Sequence, residues 1–254
     1  MAWVPEFMRL GNLLTVGGWA HERPGRKVLL HPVRADALRS AFPTLAAEYF
    51  IDFRSVRLTD QRLSPWKAGP LLPDKSPEAL AGYVGGVLLP GSPLPDVPGP
   101  PEGSFVVNVR RGDYYSVDQH RAEYGMPILS YLETAVEHAI NDVGFPKSVH
   151  VVSDDIPWCR DHLSAWLRSI APLTFGEGGM VHDLAALARA ETLILPNSTF
   201  SYWGGFIGDQ LTPGRRVYVP WLFSRAMDGG SSRSQVSPQW QVIDLPDGWP
   251  VPEG

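Results

Sequence analysis

The stretch Phe105–Tyr114, FVVNVRRGDY, decides the fold. It begins with the aromatic and β-branched residues that suit a buried parallel strand, and it continues into two arginines, a glycine and an aspartate. Arg110 and Arg111 need partners wherever they are buried, and Gly112 permits a sharp turn. We interpret the stretch as a strand that delivers two guanidinium groups to its carboxyl end. The simpler interpretation is a surface turn closed by an Arg–Asp ion pair.

The residues that follow alternate between helical and extended patterns. Helices are predicted at 127–143, 156–170, 181–190 and around 200–207, and strands at 148–153, 174–179, 192–195, 215–220 and 239–244. Residues 115–126 are predicted as a loop, and residues 224–237 as a mobile segment. Strands and helices joined by short connections indicate βαβ units and a parallel sheet.

The first hundred residues also alternate between predicted helices and strands, but their hydrophobic patterns are weaker. We predict a helix at 8–20 with a turn at its start, strands at 27–31 and 48–57, and a helix at 34–42. Residues 88–103 are rich in proline and glycine, which indicates a semi-rigid linker or a long loop. We therefore predict an N-terminal α/β domain, 1–100, and a C-terminal domain, 101–254. The alternative is an ordinary loop within one domain.

Composition excludes several classes of protein. The net charge of −5 over 254 residues argues against a general nucleic-acid binder, so no nucleic-acid partner is expected. Cys159 is the only cysteine, which rules out an intramolecular disulfide and favours a reducing compartment. No apolar run reaches the ~18 residues that cross a bilayer, and the first ten residues lack a signal-peptide pattern. We expect a cytoplasmic protein.

Three polar clusters follow predicted strands, at 108–113, 154–155 and 197–201, with Asp183 nearby. Ligands bind at the carboxyl ends of strands in open α/β sheets. The serine and threonine of the third cluster can cap a helix or seat a phosphate. The paired aspartates of the second can cap a helix, hydrogen-bond a ligand or bind a metal, although two carboxylates alone make a poor metal site. The sequence contains neither a P-loop nor a dinucleotide-binding glycine motif.

In this order the clusters resemble the α-1,2-fucosyltransferase family, glycosyltransferase family 11, within the wider fucosyltransferase superfamily. VVNVRRGDY at 106–114 is similar to the HxRRGDY motif of that family, and VHVVSDDIPWC at 149–159 to its SDDIxWC segment. Residues 182–207 resemble its stretch ending in NSTFSWWG, and LGNLL at 10–14 resembles a remnant of its donor loop. The resemblance covers roughly residues 105–219.

The resemblance implies a GT-B glycosyltransferase with two Rossmann-like domains, parallel sheets and a reduced N-terminal domain. Residues 1–100 would form the acceptor side, and residues 101–254 would bind the nucleotide-sugar. It implies an inverting, metal-independent transfer of fucose from GDP-fucose to a hydroxyl of a glycan or glycoside, with galactose O2 as one candidate acceptor. GDP-fucose would be the donor substrate, with no further cofactor and no metal. A lipid-linked acceptor would bring the protein to a membrane surface. The alternatives are a nucleotide-sugar-binding protein without transferase activity and a transferase for another GDP-sugar.

The resemblance also assigns roles to residues. Arg110 would hold the β-phosphate, Arg111 would support it, and Asp183 would accept hydrogen bonds from guanine. The other donor-binding residues would be Gly11, Asn12, Asn108, Asp154, Asp155, Ser198, Thr199, Phe200 and Ser201. Arg110 and Asp113 are the predicted catalytic residues.

The sequence does not decide which of three residues is the general base. Asp113, Glu123 and His21 are candidates by their chemistry. Asp113 is alternatively a structural partner of Arg111. The chain departs from the family at Asn108, where the family has histidine, and in the donor loop, where Met8, Arg9 and Leu13 replace the expected glycines and glutamine.

Overall fold

The computed structural model describes residues 1–57, 59–60, 63 and 76–252. The chain divides into two compact units, residues 1–97 and 98–254. The sequence-based boundary at residue 100 lies in the same proline-rich stretch. Within the described parts of the chain, no helix is both long and apolar enough to cross a membrane.

The first unit is a small α/β unit with a three-stranded parallel sheet in the order β1-β2-β3. Its strands have only two residues each, and its core is built by large side chains such as Trp19, Phe42 and Leu45. Its elements are β1 Ala2–Trp3, α1 Leu10–His21, β2 Val28–Leu29, α2 Pro32–Ala41, α3 Pro43–Tyr49, β3 Phe50–Ile51 and α4 Pro77–Tyr83, continued by a π-helical turn at Val84–Leu88.

Two predictions for this unit were wrong in detail. The expected turn at residues 10–12 is the first turn of α1, because Leu10, Leu13 and Leu14 at helical spacing are all buried. The strand expected over 48–57 is limited to β3. Asp52 ends it by accepting hydrogen bonds from the backbone N–H groups of Arg54 and Ser55, which starts a 3₁₀ turn.

The second unit contains a six-stranded, all-parallel sheet in the order β6-β5-β4-β7-β8-β9. Counted within the unit, this order is 3-2-1-4-5-6, the doubly wound arrangement of Rossmann folds. Its elements are β4 Ser104–Val109, α5 Gly112–Ser116, α6 Asp118–Tyr124, α7 Ile128–Val143, β5 Ser148–Ser153, α8 Ile156–Ile170, β6 Leu173–Phe175, α9 Met180–Ala188, β7 Thr192–Ile194, α10 Thr199–Leu211, β8 Arg216–Pro220 and β9 Gln241–Ile243. The predicted α/β class with parallel sheets is confirmed.

Local sequence explains the main elements of this unit. β4 is buried along its whole length, as its apolar residues require. α7 buries one face and ends at Gly144, whose φ of 85° only glycine adopts readily. Tyr131 of α7 is fully buried, and its hydroxyl donates to the carbonyl of Leu195 at 2.6 Å. This bond ties α7 to the end of β7.

Residues 115–126 are not the predicted loop, because they lie mostly in the two short helices α5 and α6. The helices are too short to show a hydrophobic period in the sequence. Contacts of their tyrosine side chains stabilise them. The ring of Tyr114 stacks on that of Tyr124 at 4.7 Å, and the Tyr115 hydroxyl donates to the carbonyl of Met126 at 2.6 Å.

The segment 224–237, predicted as mobile, is packed against the sheet. Ser224 and Ser232 have no exposed surface. The Ser232 hydroxyl donates to the carbonyl of Pro220 at 2.7 Å, and the Ser224 hydroxyl donates to Glu123 at 2.8 Å. The serines that suggested mobility are thus partners of buried acceptors.

Candidate functional site

The candidate site lies at the point where the strand order of the second unit reverses, between β4 and β7. The two strands pair in parallel with Val107 opposite Ile194, so the residues that follow them emerge at the same edge of the sheet. β5 pairs with β4 on the other side, with Ser153 opposite Val109. The three predicted polar clusters therefore converge on the crevice where doubly wound folds bind ligands.

Arg110 is the central cation of this edge. Its Nη1 donates to Asp154 Oδ2 at 2.6 Å, and its Nη2 donates to Asp113 Oδ1. The guanidinium also lies over the ring of Tyr114 at 5.1 Å, and the side chain is only 16% exposed. Its Nε is buried and has no hydrogen-bond partner within the described residues. Because a buried donor without a partner costs free energy, the protein alone does not satisfy this group.

Arg111 is enclosed by other side chains of the protein. Its guanidinium is sandwiched between the rings of Tyr115 and Trp158, at 4.5 and 4.3 Å, and its Nε donates to Asp155 at 3.1 Å. Asp155 also caps α8 by accepting from the backbone N–H of Trp158. The backbone N–H of Arg111 donates to Asp154 at 2.8 Å. The pairing of Asp113 with Arg111 was therefore wrong, since Asp113 binds Arg110.

Asn108 and Ser201 form a buried bracket between β4 and α10. The Ser201 hydroxyl donates to Asn108 Oδ1 at 2.5 Å, and Asn108 Nδ2 donates to the carbonyl of Val152 in β5 at 2.8 Å. The two residues are 5% and 2% exposed. Their predicted contact with the nucleotide would require these bonds to open.

Replacement of Asn108 by alanine is expected to lower the free energy of unfolding by about 1–3 kcal/mol, because it removes the two buried hydrogen bonds that the amide makes with the Val152 carbonyl and the Ser201 hydroxyl. Urea unfolding measures this change. Asn141→Ala, at an exposed site on α7, is the matched control and should stay within about 0.5 kcal/mol of the wild type. Equal losses in both variants would contradict the bracket.

The start of α10 presents backbone N–H groups to the same edge. Ser198 is the N-cap residue, and its side chain makes no capping hydrogen bond to the described residues. Thr199 and Phe200 form the first turn of this 13-residue helix and are partly exposed. Asn197 anchors the turn by donating to the carbonyls of Tyr124 and Phe223 at 2.8 and 2.9 Å. An oriented, uncapped helix start is a favourable seat for an anion.

Asp183 lies in the first turn of α9, beside the end of β6. A Cβ built on Gly176 would lie 3.0 Å from Asp183 Oδ1, so the carboxylate packs closely on that backbone. Burial raises the pKa of Asp183 above its usual value, and neighbouring His182 opposes the shift. A carboxylate held in place at a desolvation cost is typical of functional sites.

We expect Asp183→Asn to be more stable than the wild type at pH 7. The raised pKa means that the folded protein binds this proton more tightly than the unfolded chain does. The stability that the group contributes is therefore present below its unfolded pKa, near 4, and is lost as pH rises through the folded pKa. Urea unfolding at pH 7 and near pH 4 should show an advantage of the variant that shrinks on acidification. Asp161→Asn, at an exposed site on α8, should show none; a destabilised Asp183 variant at pH 7 would refute the argument.

The other predicted site residues lie in different environments. Gly11 and Asn12 are helical residues of α1 in the first unit, and Gly11 is buried. His21, also of that unit, is hydrogen-bonded through Nδ1 to the Tyr49 hydroxyl at 2.8 Å. Glu123 accepts a hydrogen bond from Ser224.

Sequence reasoning missed three residues that surround Arg110 and Asp113. Tyr114 and Tyr124 stack on each other, and burial raises the pKa of both hydroxyls, that of Tyr124 to about 12. His120 faces Asp113, with Nδ1 3.7 Å from Oδ2. Helical spacing within 118–124, which places residues 120 and 124 on one face, was the available signal.

Metal-ligating side chains are not clustered here. Among the residues that the structure describes, no group of three or more His, Cys, Asp or Glu side chains could hold a metal ion.

Comparison with known proteins finds a family model that matches the segment containing this site. Residues 98–221 match glycosyl transferase family 11. The family 11 segment, as we call these residues, contains all three polar clusters, Asp183 and both arginines. The resemblance inferred from the sequence motifs is confirmed for this segment.

Relatives of the family 11 segment are moderately similar. Galactoside 2-alpha-L-fucosyltransferase Sec1 of Mus musculus is 32% identical over 125 residues, which is 48% of this chain and 33% of the relative. An alpha-1,2-colitosyltransferase of Escherichia coli is 29% identical over 108 residues, 41% of this chain and 36% of the relative. The matches span about a third of the length of these curated relatives. The crystal structure of POFUT1 in complex with GDP has a TM-score of 0.39 at 18% identity, covering 73% of this chain and 58% of that one.

Proposed function

We propose that this protein is a glycosyltransferase that moves fucose from GDP-fucose to a hydroxyl of a glycan or glycoside. One observation carries the proposal: Arg110, whose Nε has no hydrogen-bond partner among the described residues, and the start of α10 lie at the same edge of the sheet, where the strand order reverses. A diphosphate is the ligand chemistry that suits a guanidinium and oriented N–H groups together. The match of this segment to glycosyl transferase family 11 supports a nucleotide-sugar as the source of that diphosphate.

The proposed chemistry follows from where charge develops. When the bond between the sugar and the diphosphate breaks, negative charge appears on the leaving phosphate oxygen. Fixed donors aimed at that oxygen lower the barrier without reorganising. We propose that Arg110 and the first turn of α10 supply them without a metal, and that the acceptor attacks the opposite face of the sugar, which inverts the anomeric centre.

The electrostatics of the site set a condition on binding. Arg110 and Arg111 carry two positive charges, and three aspartates bonded to them carry three negative charges. These five side chains together carry one net negative charge and do not by themselves attract an anion, so we expect affinity to come from directed hydrogen bonds. A bound diphosphate would compete with Asp113 and Asp154 for the Arg110 guanidinium.

The donor sugar and the acceptor are the finer parts of the proposal. The relatives include a galactoside 2-alpha-fucosyltransferase and an alpha-1,2-colitosyltransferase, so related segments occur in proteins named for different sugars. We propose fucose as donor sugar and a galactoside as the first acceptor to test. Because the acceptor side depends on the rest of the chain, other glycosides belong in the same panel.

Isothermal titration calorimetry with GDP, GDP-fucose, GDP-mannose and UDP tests the donor proposal. Each titration is run with EDTA and again with Mg²⁺. Binding of GDP and GDP-fucose in EDTA, with weaker binding of UDP, is the expected result. Binding that requires Mg²⁺ would contradict metal independence, and no binding of any GDP compound would sink the proposal.

A second candidate is a protein that binds a GDP-sugar without transferring it. The bracket between Asn108 and Ser201 favours this candidate, because the position where the family has histidine is occupied by a buried amide with both ends engaged. GDP binding together with no release of GDP from GDP-fucose, across water and a panel of glycosides, would select it.

A further inference from the structure

A histidine that is not among the predicted donor-binding residues lies beside the proposed diphosphate site. His120 of α6 has its Nδ1 3.7 Å from Asp113 Oδ2. That nitrogen is buried and has no hydrogen-bond partner within the described residues, although the side chain as a whole is 43% exposed. The exposed surface of the side chain therefore lies on atoms other than Nδ1. A proton on Nδ1, facing the carboxylate, leaves the Nε2 lone pair available to accept another.

The geometry points to His120 as the general base of the transfer, with Asp113 as its positioning residue. This inference rests on the proposed transferase function. The acceptor hydroxyl would give its proton to Nε2 while its oxygen forms the bond to the anomeric carbon. The bond between that carbon and the phosphate oxygen breaks, and its electron pair leaves with GDP. Asp113 stabilises the imidazolium that results, as the carboxylate of a catalytic triad does.

The other candidate bases are engaged elsewhere. Asp113 Oδ1 accepts from Arg110, and its Oδ2 faces His120. Glu123 accepts from Ser224 at 2.8 Å. His21 is bonded to a tyrosine hydroxyl in the first unit. The separation of 3.7 Å between His120 and Asp113 exceeds a hydrogen bond, and such catalytic pairs commonly tighten only with substrate bound.

The charged groups around His120 connect it to the donor. Asp113 is shared between His120 and Arg110, and the Tyr124 ring lies edge-on to the imidazole at 6.3 Å. On its own helix, Arg121 is paired with Asp118 at 2.7 Å, and Glu123 with Ser224. When a diphosphate takes over Arg110, the carboxylate of Asp113 has only His120 left to stabilise. Donor binding would thereby prepare the base.

The test compares His120→Gln with His138→Gln, an exposed histidine of α7 bonded to Gln241. GDP affinity is measured by calorimetry, and GDP release from GDP-fucose is measured with methyl β-galactoside and with water over pH 5–9. His120→Gln should keep GDP affinity within about twofold and lose at least 100-fold in kcat, the usual contribution of a general base. The acid limb of its kcat/KM profile should disappear. His138→Gln should behave as the wild type.

The outcomes separate this inference from the proposed function. A His120→Gln enzyme with wild-type kcat, or with the wild-type acid limb, overturns the role of His120 while the transferase stands. Asp113→Asn should move the acid limb to lower pH, since the imidazolium loses its counter-charge; an unmoved limb overturns the positioning role. A wild type that binds GDP but releases none from GDP-fucose overturns the inference and favours the binding-only candidate. A wild type that binds no GDP sinks the proposed function itself.

Discussion

Replacement of Arg110 by alanine is expected to abolish transfer and to weaken GDP binding about 100-fold. Arg110 is the one arginine of the pair that is not sandwiched between aromatic rings, and its Nε has no partner in the described structure. Hydrogen bonds to charged groups are worth about 1.5–3 kcal/mol each, and 1.4 kcal/mol is a factor of ten in affinity. Two such bonds to a phosphate therefore account for the expected loss.

The measurement needs a control for charge and for folding. Arg160→Ala removes an arginine of α8 that is 50% exposed and is paired with Glu177 at 2.7 Å. It should bind GDP as the wild type does. Arg110→Lys keeps the charge but not the planar fork, and it should recover only part of the affinity. If the far-ultraviolet circular dichroism of Arg110→Ala is normal and its GDP affinity is unchanged, Arg110 does not hold the phosphate.

The sheet of the second unit could be read from the sequence because its signals are local. Residues 148–153 and 156–170 were predicted with the bounds that β5 and α8 have in the structure. Buried parallel strands are continuous apolar runs, and proline and aspartate mark the start of the helix. Once those strands are parallel, the carboxyl ends meet at one edge, so the convergence of the polar clusters was predictable too.

The pairing of the two arginines with the aspartates could not be predicted from the sequence in the same way. The sequence has two adjacent arginines and three candidate aspartates, and sequence separation does not show which arginine pairs with which aspartate. The structure decides through packing: Tyr115 and Trp158 enclose Arg111, which leaves Arg110 to the carboxylate three residues later in the chain. Such a choice depends on side chains from two separate helices.

The role of Asn108 was hidden for a related reason. Its partners are the Val152 carbonyl and Ser201, which are 44 and 93 residues away in the chain. Comparison with the family motif showed only that asparagine stands at position 108 where the family has histidine, a residue expected to contact the ligand. In the structure the Asn108 amide links β4, β5 and α10 by hydrogen bonds, so it belongs to the framework that positions the ends of β4 and β5 and the start of α10.

Gly112→Ala is expected to lose GDP affinity about as strongly as Arg110→Ala. Gly112 has φ of +23°, and a Cβ built there would collide with the carboxylate of Asp154. That carboxylate accepts from Arg110 and from the backbone N–H of Arg111. The added methyl group must push it away, which releases the guanidinium from its position at the end of β4.

Gly144→Ala separates this collision from backbone strain. Gly144 has φ of +85° at the end of α7, and a Cβ there meets nothing within 4 Å. Both substitutions place alanine in a left-handed conformation, which costs about 1–2 kcal/mol of stability. Calorimetry should therefore find normal GDP binding in Gly144→Ala and loss in Gly112→Ala, although both melt at lower temperatures. Equal GDP affinity in the two variants would mean that the contact between Asp154 and Arg110 does not set the geometry of the proposed diphosphate site.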